Sequence, residues 1–353
     1  MPAFWTEADY DAHEMVQLVH DRASGLTAIL ALHSTHRGPG AGGTRFWHYA
    51  DPAGAMRDAL RLSRGMSYKN AMAGLPMGGG KAVVMLDANR TKSPDMLAAF
   101  GDAVQALAGR YVTAEDVGAS EADMVAIAQR TPHVCGLPAA AGEAGGDPGP
   151  YTAHGIFLGI KAAARHQLGA DSMAGVRVAL QGCGSVGGGV ARLLAQEGAQ
   201  LMLADIDAAR AQALAAELGA EAVAADAIMT RECDVFSPNA LGAVLTAQSI
   251  AGLQCRVVAG GANNQLATAA DGARLADRGI LYAPDYVINA GGIINVSLEY
   301  LARQQGQDFD LEDVNARIAE IPARLVSIWQ ESEASGASAD VVADRMAQKL
   351  IGR

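Results

Sequence analysis

The sequence predicts an α/β protein of two domains, the second a doubly wound parallel sheet. Three observations carry this. The 353 residues exceed what a single core comfortably fills. Short apolar runs alternate with stretches of helical spacing along most of the chain. A glycine triplet of the form GxGxxG follows one such run directly and opens a helical stretch.

Taken in order, LTAILAL at 26–32 reads as a strand and GPGAGGTR at 38–45 as a glycine-rich turn. Residues 52–64 carry apolar positions at helical spacing, AVVMLD after Lys81 is a second strand, and a helix follows Pro94. RYVTA at 110–114 is a short strand ending at Glu115 and Asp116, with a helix expected after it. Between Pro138 and Pro150 the composition collapses to small and turn-forming residues, a loop or hinge signal. The domain boundary is placed there, with a first domain over 1–140 and a second over 141–325. Beyond it VRVAL, QLMLA, EAVAA, DVFSP, RVVAG and ILYAP recur as short apolar runs, the rhythm of a parallel sheet. From Asp310 onward the chain reads as helical, polar and tail-like.

Composition excludes several classes. A formal charge of -11 with only 27 Lys and Arg argues against nucleic acid, whose binding depends on phosphate neutralisation. No apolar stretch reaches the roughly 20 residues that span a bilayer. The first 15 residues lack the basic and apolar regions of a signal peptide, and Cys135, Cys183, Cys233 and Cys255 show neither CxxC pairing nor metal-ligand spacing with histidine. A cytoplasmic protein without a metal site is the expectation.

Two lysines stand out, Lys69 in GMSYKNAMAG and Lys81 in LPMGGGKAVV, because their surroundings are almost uncharged. A lysine acts as a base near neutral pH only if burial or a second cation destabilises its ammonium. Both conditions are available here, although lone lysines are ordinarily surface charges. Gly78 to Gly80, lacking side chains, let backbone and ligand approach Lys81. Asp116 suits either proton transfer or helix capping.

In the second half GCGSVG supplies Gly182, Gly184 and Gly187, with Ser185 and Val186 opening the helix. Asp205 ends the next strand, 23 positions after the first glycine, where a carboxylate accepts bonds from an adenosine ribose. This is the Rossmann fingerprint. The negative charge at Asp205 disfavours a 2′-phosphate, so the cofactor is expected to be NAD. SPNALG, with Asn239 and Ala240, and GGANN, with Asn263 and Asn264, fall where ligands bind such sheets, at the carboxyl ends of strands. The Asn pair serves a ligand or a turn equally well.

Together these strings resemble the glutamate, leucine, phenylalanine and valine dehydrogenase family from about Thr35 to about Glu299. They run GPGAGGTR, RGMSYKNAMAGLPMGGGKAVV, YVTAEDVG, DPGPYTAHG, QGCGSVG, SPNALGAVL, GGANNQL and APDYVINAGGIINV. The resemblance implies that Lys69 holds the α-carboxylate of an amino acid, Lys81 is the catalytic lysine and Asp116 its acidic partner. Gly42 and Gly43 would lie against the substrate, and Thr152 near the nicotinamide. Asn263 would sit near both, and Gly182, Gly184, Gly187 and Asp205 would cradle the cofactor. It also implies a substrate domain first, a cofactor domain second, a C-terminal helix over 326–353 returning to the first, and a homo-oligomer.

By the same correspondence Ala41, Ala114, Ile293 and Val296 line the side-chain pocket. All are apolar, which disfavours glutamate. Ala114 and Val296 match the leucine type, whereas Ala41 is smaller than that type usually carries and keeps phenylalanine or another bulky substrate open. The implied reaction is NAD-dependent, reversible oxidative deamination of an apolar amino acid, with leucine or another branched chain favoured. A hydroxy-acid dehydrogenase would not need the lysine pair, and a silent NAD-sensing regulator would not need Lys69, Lys81 and Asp116 together.

Overall fold

Residues 26–32, the first apolar run, lie within a mixed sheet in the first of two units into which the chain folds. The computed structural model describes residues 4–138, 147–308 and 310–353. One unit comprises Met1–Asp147, Ile294–Val314 and Ala347–Arg353, the other Pro148–Ile293 and Asn315–Met346. The boundary expected at 140/141 lies outside the described residues.

The first unit holds β1 (Met15–Asp21), β2 (Leu26–Ser34), β3 (Gly40–Trp47), β4 (Gly78–Met85) and β5 (Tyr111–Glu115) in the order β1-β2-β4-β3-β5. β1 and β4 run antiparallel to β2, while β3 runs parallel to both β4 and β5. Three helices begin on side-chain caps: α1 (Pro52–Met72) on Asp51, α2 (Pro94–Gln105) on Ser93 and α3 (Glu121–Ala128) on Ser120. β2 is apolar on both faces because both are covered. Leu26, Ala28, Leu30 and Leu32 pack with Phe46, Phe100, Met124 and Ile127, whereas Ile29 and Ala31 pack with Ala55 and Ala59 of α1.

From Gly40 onward GPGAGGTR is the inner strand β3 rather than the expected turn, and only Gly38 and Pro39 stay outside it, in a bend. Its glycines serve close packing. A Cβ at Gly42 would lie 1.9 Å from the Gly80 carbonyl oxygen, and one at Gly43 2.4 Å from that of Glu115. On β4, a Cβ at Gly79 would lie 2.1 Å from the Ser67 backbone nitrogen in α1. The helix therefore rests on bare backbone, and Asn70 donates from it to the Gly78 carbonyl at 2.6 Å.

The second unit begins with α4 (Gly149–Leu168). There follow β6 (Arg177–Gln181), α5 (Ser185–Gln196), β7 (Gln200–Ala204), α6 (Ala208–Leu218), β8 (Glu221–Ala222) and β9 (Val235–Pro238). α7 (Ala247–Gly252), β10 (Val257–Val258), α8 (Asp271–Asp277), β11 (Leu281–Tyr282) and α9 (Asp285–Ile288) complete the alternation. All strands are parallel in the order β11-β10-β9-β6-β7-β8, the doubly wound arrangement with its reversal between β6 and β9. EAVAA contributes only the two residues of β8.

The C-terminal region departs furthest from expectation. α10 (Gly291–Gln305) crosses from one unit's residues to the other's, and α11 (Leu311–Ile318), α12 (Ile321–Ser335) and α13 (Ala339–Leu350) follow. These are not a polar tail. Ile321, Leu325, Ile328 and Trp329 are buried, and the Trp329 indole donates to the Tyr282 carbonyl at 2.9 Å. α12 belongs to the second unit, so only Ala347–Arg353, not the whole of 326–353, joins the first. There Arg353 donates to the carbonyls of Asp11, Ala12 and His33. Among the described residues no helix is long and apolar enough to cross a membrane.

Two alanine substitutions at the foot of α1 should act in opposite directions. Gly79→Ala is expected to cost about 1–3 kcal/mol or more by overpacking against the Ser67 backbone. Gly65→Ala, where nothing lies within 4 Å of the added carbon, should stabilise by roughly 0.5–1 kcal/mol. Urea denaturation midpoints read both.

Candidate active site

Alternation along a strand sends successive side chains to opposite faces. Val83 packs on the α1 face, so Lys81, two residues earlier, points to the same side. Register pairs Arg45 with Val83 and Gly43 with Ala114, which puts Arg45 and Gly43 on that face too. β3 lies between β4 and β5. Lys81 therefore reaches over Gly43 to Asp116, just past the end of β5, and its Nζ lies 2.8 Å from Asp116 Oδ2. Glycine is required beneath this bridge, since a Cβ at 43 would also meet the Asp116 Cβ at 2.9 Å.

The Lys81 side chain is only 6% exposed and that of Asp116 24%. Burial depresses the pKa of Lys81; the Asp116 carboxylate opposes this, Arg45 adds to it, and the net displacement is downward. For Asp116 burial pushes upward but Lys81 and Arg45 outweigh it, so the carboxylate is held below its ordinary range. Helix capping does not employ Asp116. Ser120 caps α3 and shares a capping box with Asp123.

Behind the pair lies a set of residues that the sequence reading missed. Arg45 Nε lies 3.0 Å from Asp116 Oδ2 while its Nη1 lies 2.7 Å from Asp58 Oδ2. Asp58 is held in turn by the Tyr49 hydroxyl at 2.7 Å and Arg61 Nη2 at 2.8 Å. A cation that depresses Lys81 is Arg45, which stands among the charges bearing most on it. The signal was available in the shared parity of positions 43, 45, 81 and 83, once the strands are registered.

Lys69 is half-buried in α1, between the buried Tyr68 and Asn70, and Asn70 donates to the Ala41 carbonyl at 3.4 Å. Ala41 is buried at 1% exposure, Ala114 is half-buried beside Gly43, and Val296 is buried with a methyl 3.7 Å from the Cβ position of Gly136. Ile293 is half-buried and counts with the second unit, Val296 with the first.

In the second unit the fingerprint lies between β6 and α5. A Cβ at Gly187 would stand 1.9 Å from the Gly182 carbonyl oxygen, and one at Gly182 2.8 Å from the Asn239 backbone and 2.9 Å from the Ala240 nitrogen. Gly184 differs, with open space around its Cβ position, and α5 starts there without a side-chain cap. The first N–H groups of that helix, at Ser185 and Val186, thus face room for an anion. Asp205 accepts from the Cys183 nitrogen at 2.7 Å and the Asp207 nitrogen at 2.9 Å. Burial pushes its pKa up, but these donors and Arg210 prevail and keep it low. Arg210 lies 3.4 Å from both Asp205 and Asp207, so its charge is balanced and the spot stays anionic. This set fits NAD: an uncapped helix start for the pyrophosphate and a fixed carboxylate for the ribose.

Asn239 donates to the Ser237 carbonyl at 3.0 Å and accepts from the Gly261 nitrogen at 2.9 Å, which ties the ends of β9 and β10 together. Asn263 and Asn264 differ. Asn264 takes a left-handed turn conformation with φ 53, while the Asn263 side-chain Oδ1 accepts from Asn289 Nδ2 at 2.8 Å. Asn289 was not foreseen. The Thr152 hydroxyl donates to the Pro148 carbonyl at 2.9 Å in the first turn of α4.

Comparison with known proteins agrees with these halves. Residues 11–133 match the family described as Glu/Leu/Phe/Val dehydrogenase, dimerisation domain, and residues 203–350 match Glutamate/Leucine/Phenylalanine/Valine dehydrogenase. Leucine dehydrogenase of Thermoactinomyces intermedius is 44% identical over 97% of this chain and 91% of its own. Valine dehydrogenase of Streptomyces virginiae is 42% identical over 98% and 95%. The crystal structure of L-tryptophan dehydrogenase from Nostoc punctiforme matches with a TM-score of 0.84 and 38% identity over 96% of both chains.

Asp116→Ala would leave the Lys81 ammonium buried without its carboxylate. Breaking a fully buried pair costs ~3–5 kcal/mol, and partial exposure of Asp116 puts this loss at or below the lower end. The folded pKa of Lys81 lies below its ordinary 10.5, so the unfolded chain holds more protons and stability rises with pH toward that value. Thermal melts from pH 7 to 10 should show the variant's deficit against wild type shrinking as pH rises.

Proposed function

The chain belongs to the Glu/Leu/Phe/Val dehydrogenase family and is an NAD-dependent amino-acid dehydrogenase, and on that premise we propose that it deaminates branched-chain L-amino acids through Lys81 and Asp116. The products are the 2-oxo acid and ammonium, and the reaction is reversible. The observation that carries the assignment is the buried Lys81–Asp116 pair. A lysine so placed gives up its proton more readily than one in water, yet remains hydrogen-bonded to an acid that can pass the proton on.

In this reading Lys69 pairs with the α-carboxylate and fixes the orientation of the amino acid. NAD, when bound, supplies the hydride acceptor for Cα. Lys81 Nζ then takes a proton from the water that attacks the resulting iminium carbon and passes a proton to Asp116, which delivers it to the departing nitrogen. Because the base works deprotonated and its pKa is displaced downward, deamination should rise with pH toward an optimum below the ordinary lysine value of 10.5. Gly42, Gly43, Ala41, Ala114, Ile293 and Val296 border the substrate. Thr152, Gly182, Gly184, Ser185, Val186, Gly187, Asp205, Asn239, Ala240 and Asn263 hold the cofactor.

Branched aliphatic substrates are favoured by the leucine and valine dehydrogenases named above and by the wholly apolar pocket set. A second reading, a bulky aromatic substrate, is favoured by the small Ala41 and by the likeness to a tryptophan dehydrogenase. The dimerisation-domain match supports assembly into a homo-oligomer, and four free cysteines support a cytoplasmic setting.

A panel of Leu, Ile, Val, Phe, Trp and Glu with NAD should rank the branched chains at least about tenfold above the others in kcat/KM, a discrimination of the size that apolar pockets achieve. Phe or Trp ranking first would shift the assignment to the aromatic reading. Lys81→Ala should lower turnover by roughly 10²-fold or more with the fold intact by circular dichroism; near-normal turnover would remove Lys81 from the chemistry. NADP should be used far less well than NAD, checked by initial rates with each.

A further inference from the structure

The carboxylate that partners Lys81 is restrained from three sides. Its backbone is pinned to β3, because the Phe46 nitrogen donates to the Val117 carbonyl at 3.0 Å and a Cβ at Gly118 would lie 1.9 Å from the Phe46 carbonyl oxygen. What remains free is the rotation of the Asp116 side chain. Arg45 Nε, from the strand directly beneath, donates to Oδ2 at 3.0 Å, and this is the oxygen that Lys81 approaches. Both cations thus meet the same oxygen. Arg45 itself is fixed by Asp58, which Tyr49 and Arg61 hold in place.

We propose that Arg45, held from behind by Asp58, is a positioning residue that presents Asp116 to Lys81 by one oxygen and leaves the other for proton transfer. This rests on the reading of Lys81 and Asp116 given above. A guanidinium suits the task because its planar fork bonds two carboxylates at once in fixed geometry, which an ammonium does not. Charge alternates along the line Lys81, Asp116, Arg45, Asp58, Arg61. The charged and titratable groups that bear on the pair are Arg45 from β3, Asp58 from α1 and, toward Asp116, Tyr111 from β5, while Tyr49 and Arg61 bear on it through Asp58.

Alternation gives the proposal a signature that a scaffold role lacks. Arg45 favours the neutral form of Lys81, whereas Asp58 favours the charged form. In the full-length enzyme, assayed with L-leucine and NAD from pH 7.5 to 11, Arg45→Gln should move the rising, acid-side limb of kcat/KM upward by roughly one pH unit. It should also lower kcat at least about tenfold, with KM changed less than about threefold. Asp58→Asn should move the limb the other way, downward, by a smaller amount. Arg45→Lys, which keeps the charge but not the fork, should bring the limb back toward wild type while kcat stays low.

Variants that lose stability and turnover with the limb at its wild-type position would overturn the proposal, as would limbs that move in the same direction in Arg45→Gln and Asp58→Asn. If Arg45→Gln does not fold, Asp58→Asn and Arg45→Lys decide: an unmoved limb in Asp58→Asn, or full kcat in Arg45→Lys, overturns it. Lys81→Ala in the same assay separates the two levels. An inactive Lys81→Ala with unmoved limbs rejects only the part given to Arg45, whereas an active Lys81→Ala rejects the underlying reading.

Discussion

An ammonium enclosed by protein is unstable on its own, and the first unit is organised around making one tolerable. Lys81 sits on an inner strand, under α1, where a single unpaired charge would cost several kcal/mol. The compensation is one carboxylate brought from the end of a strand two places away. For that carboxylate to arrive, the intervening strand must present no side chain, hence Gly43, and the helix above must settle on bare backbone, hence Gly79. Gly43 is thus tied to the ion pair, and Gly79 to the seat of the helix above it. Their role is to remove atoms, not to permit unusual torsions, since neither is in the left-handed region.

The second unit solves a different problem with the same economy of atoms. An anion is welcomed at the start of α5 because that helix has no side-chain cap, and backbone crowding between Gly182, Gly187 and Asn239 holds the turn that leaves it uncapped. Asp205 lies at the neighbouring strand end, with two backbone N–H groups fixing its carboxylate before any ligand is present. Arg210, the cation that comes nearest to it, is shared with Asp207, so the local field still repels a further phosphate. Cofactor preference here follows from charge balance more than from shape.

What could be read from the sequence depended on how local its cause was. The Rossmann half was legible because turn, helix start and acidic residue follow one another within a single βαβ unit. GAGG was misread for the opposite reason: glycine in a turn and glycine beneath a crossing helix look alike until the helix is placed. Arg45 and Asp58 went unnoticed because their roles exist only after β3, β4 and α1 are in register, and Arg45 followed the glycines without a pattern of its own. The helices after Asp310 looked polar because each buries a narrow stripe, Leu325, Ile328 and Trp329 in α12 for instance, amid charged residues. In the Asn pair only Asn264 takes the turn conformation, while the Asn263 side chain is bonded by Asn289.

The arrangement around Lys81 also sets a limit on how the base can be tuned. Burial lowers the proton affinity of Lys81 and the Asp116 carboxylate raises it, so the two act against each other. A second cation on the same carboxylate resolves the conflict, because Arg45 shares the charge of Asp116 without occupying the space over Gly43. Asp58 then keeps Arg45 from being a further unpaired buried charge. Each member answers a cost created by the one before, and the series ends where Arg61 reaches solvent at 39% exposure, so the last charge is hydrated rather than paired again. A lysine at the buried end of such a series is pulled both ways, by burial and Arg45 toward the neutral form and by Asp116 and Asp58 toward the charged one, which is the condition that the proposed proton transfer would require.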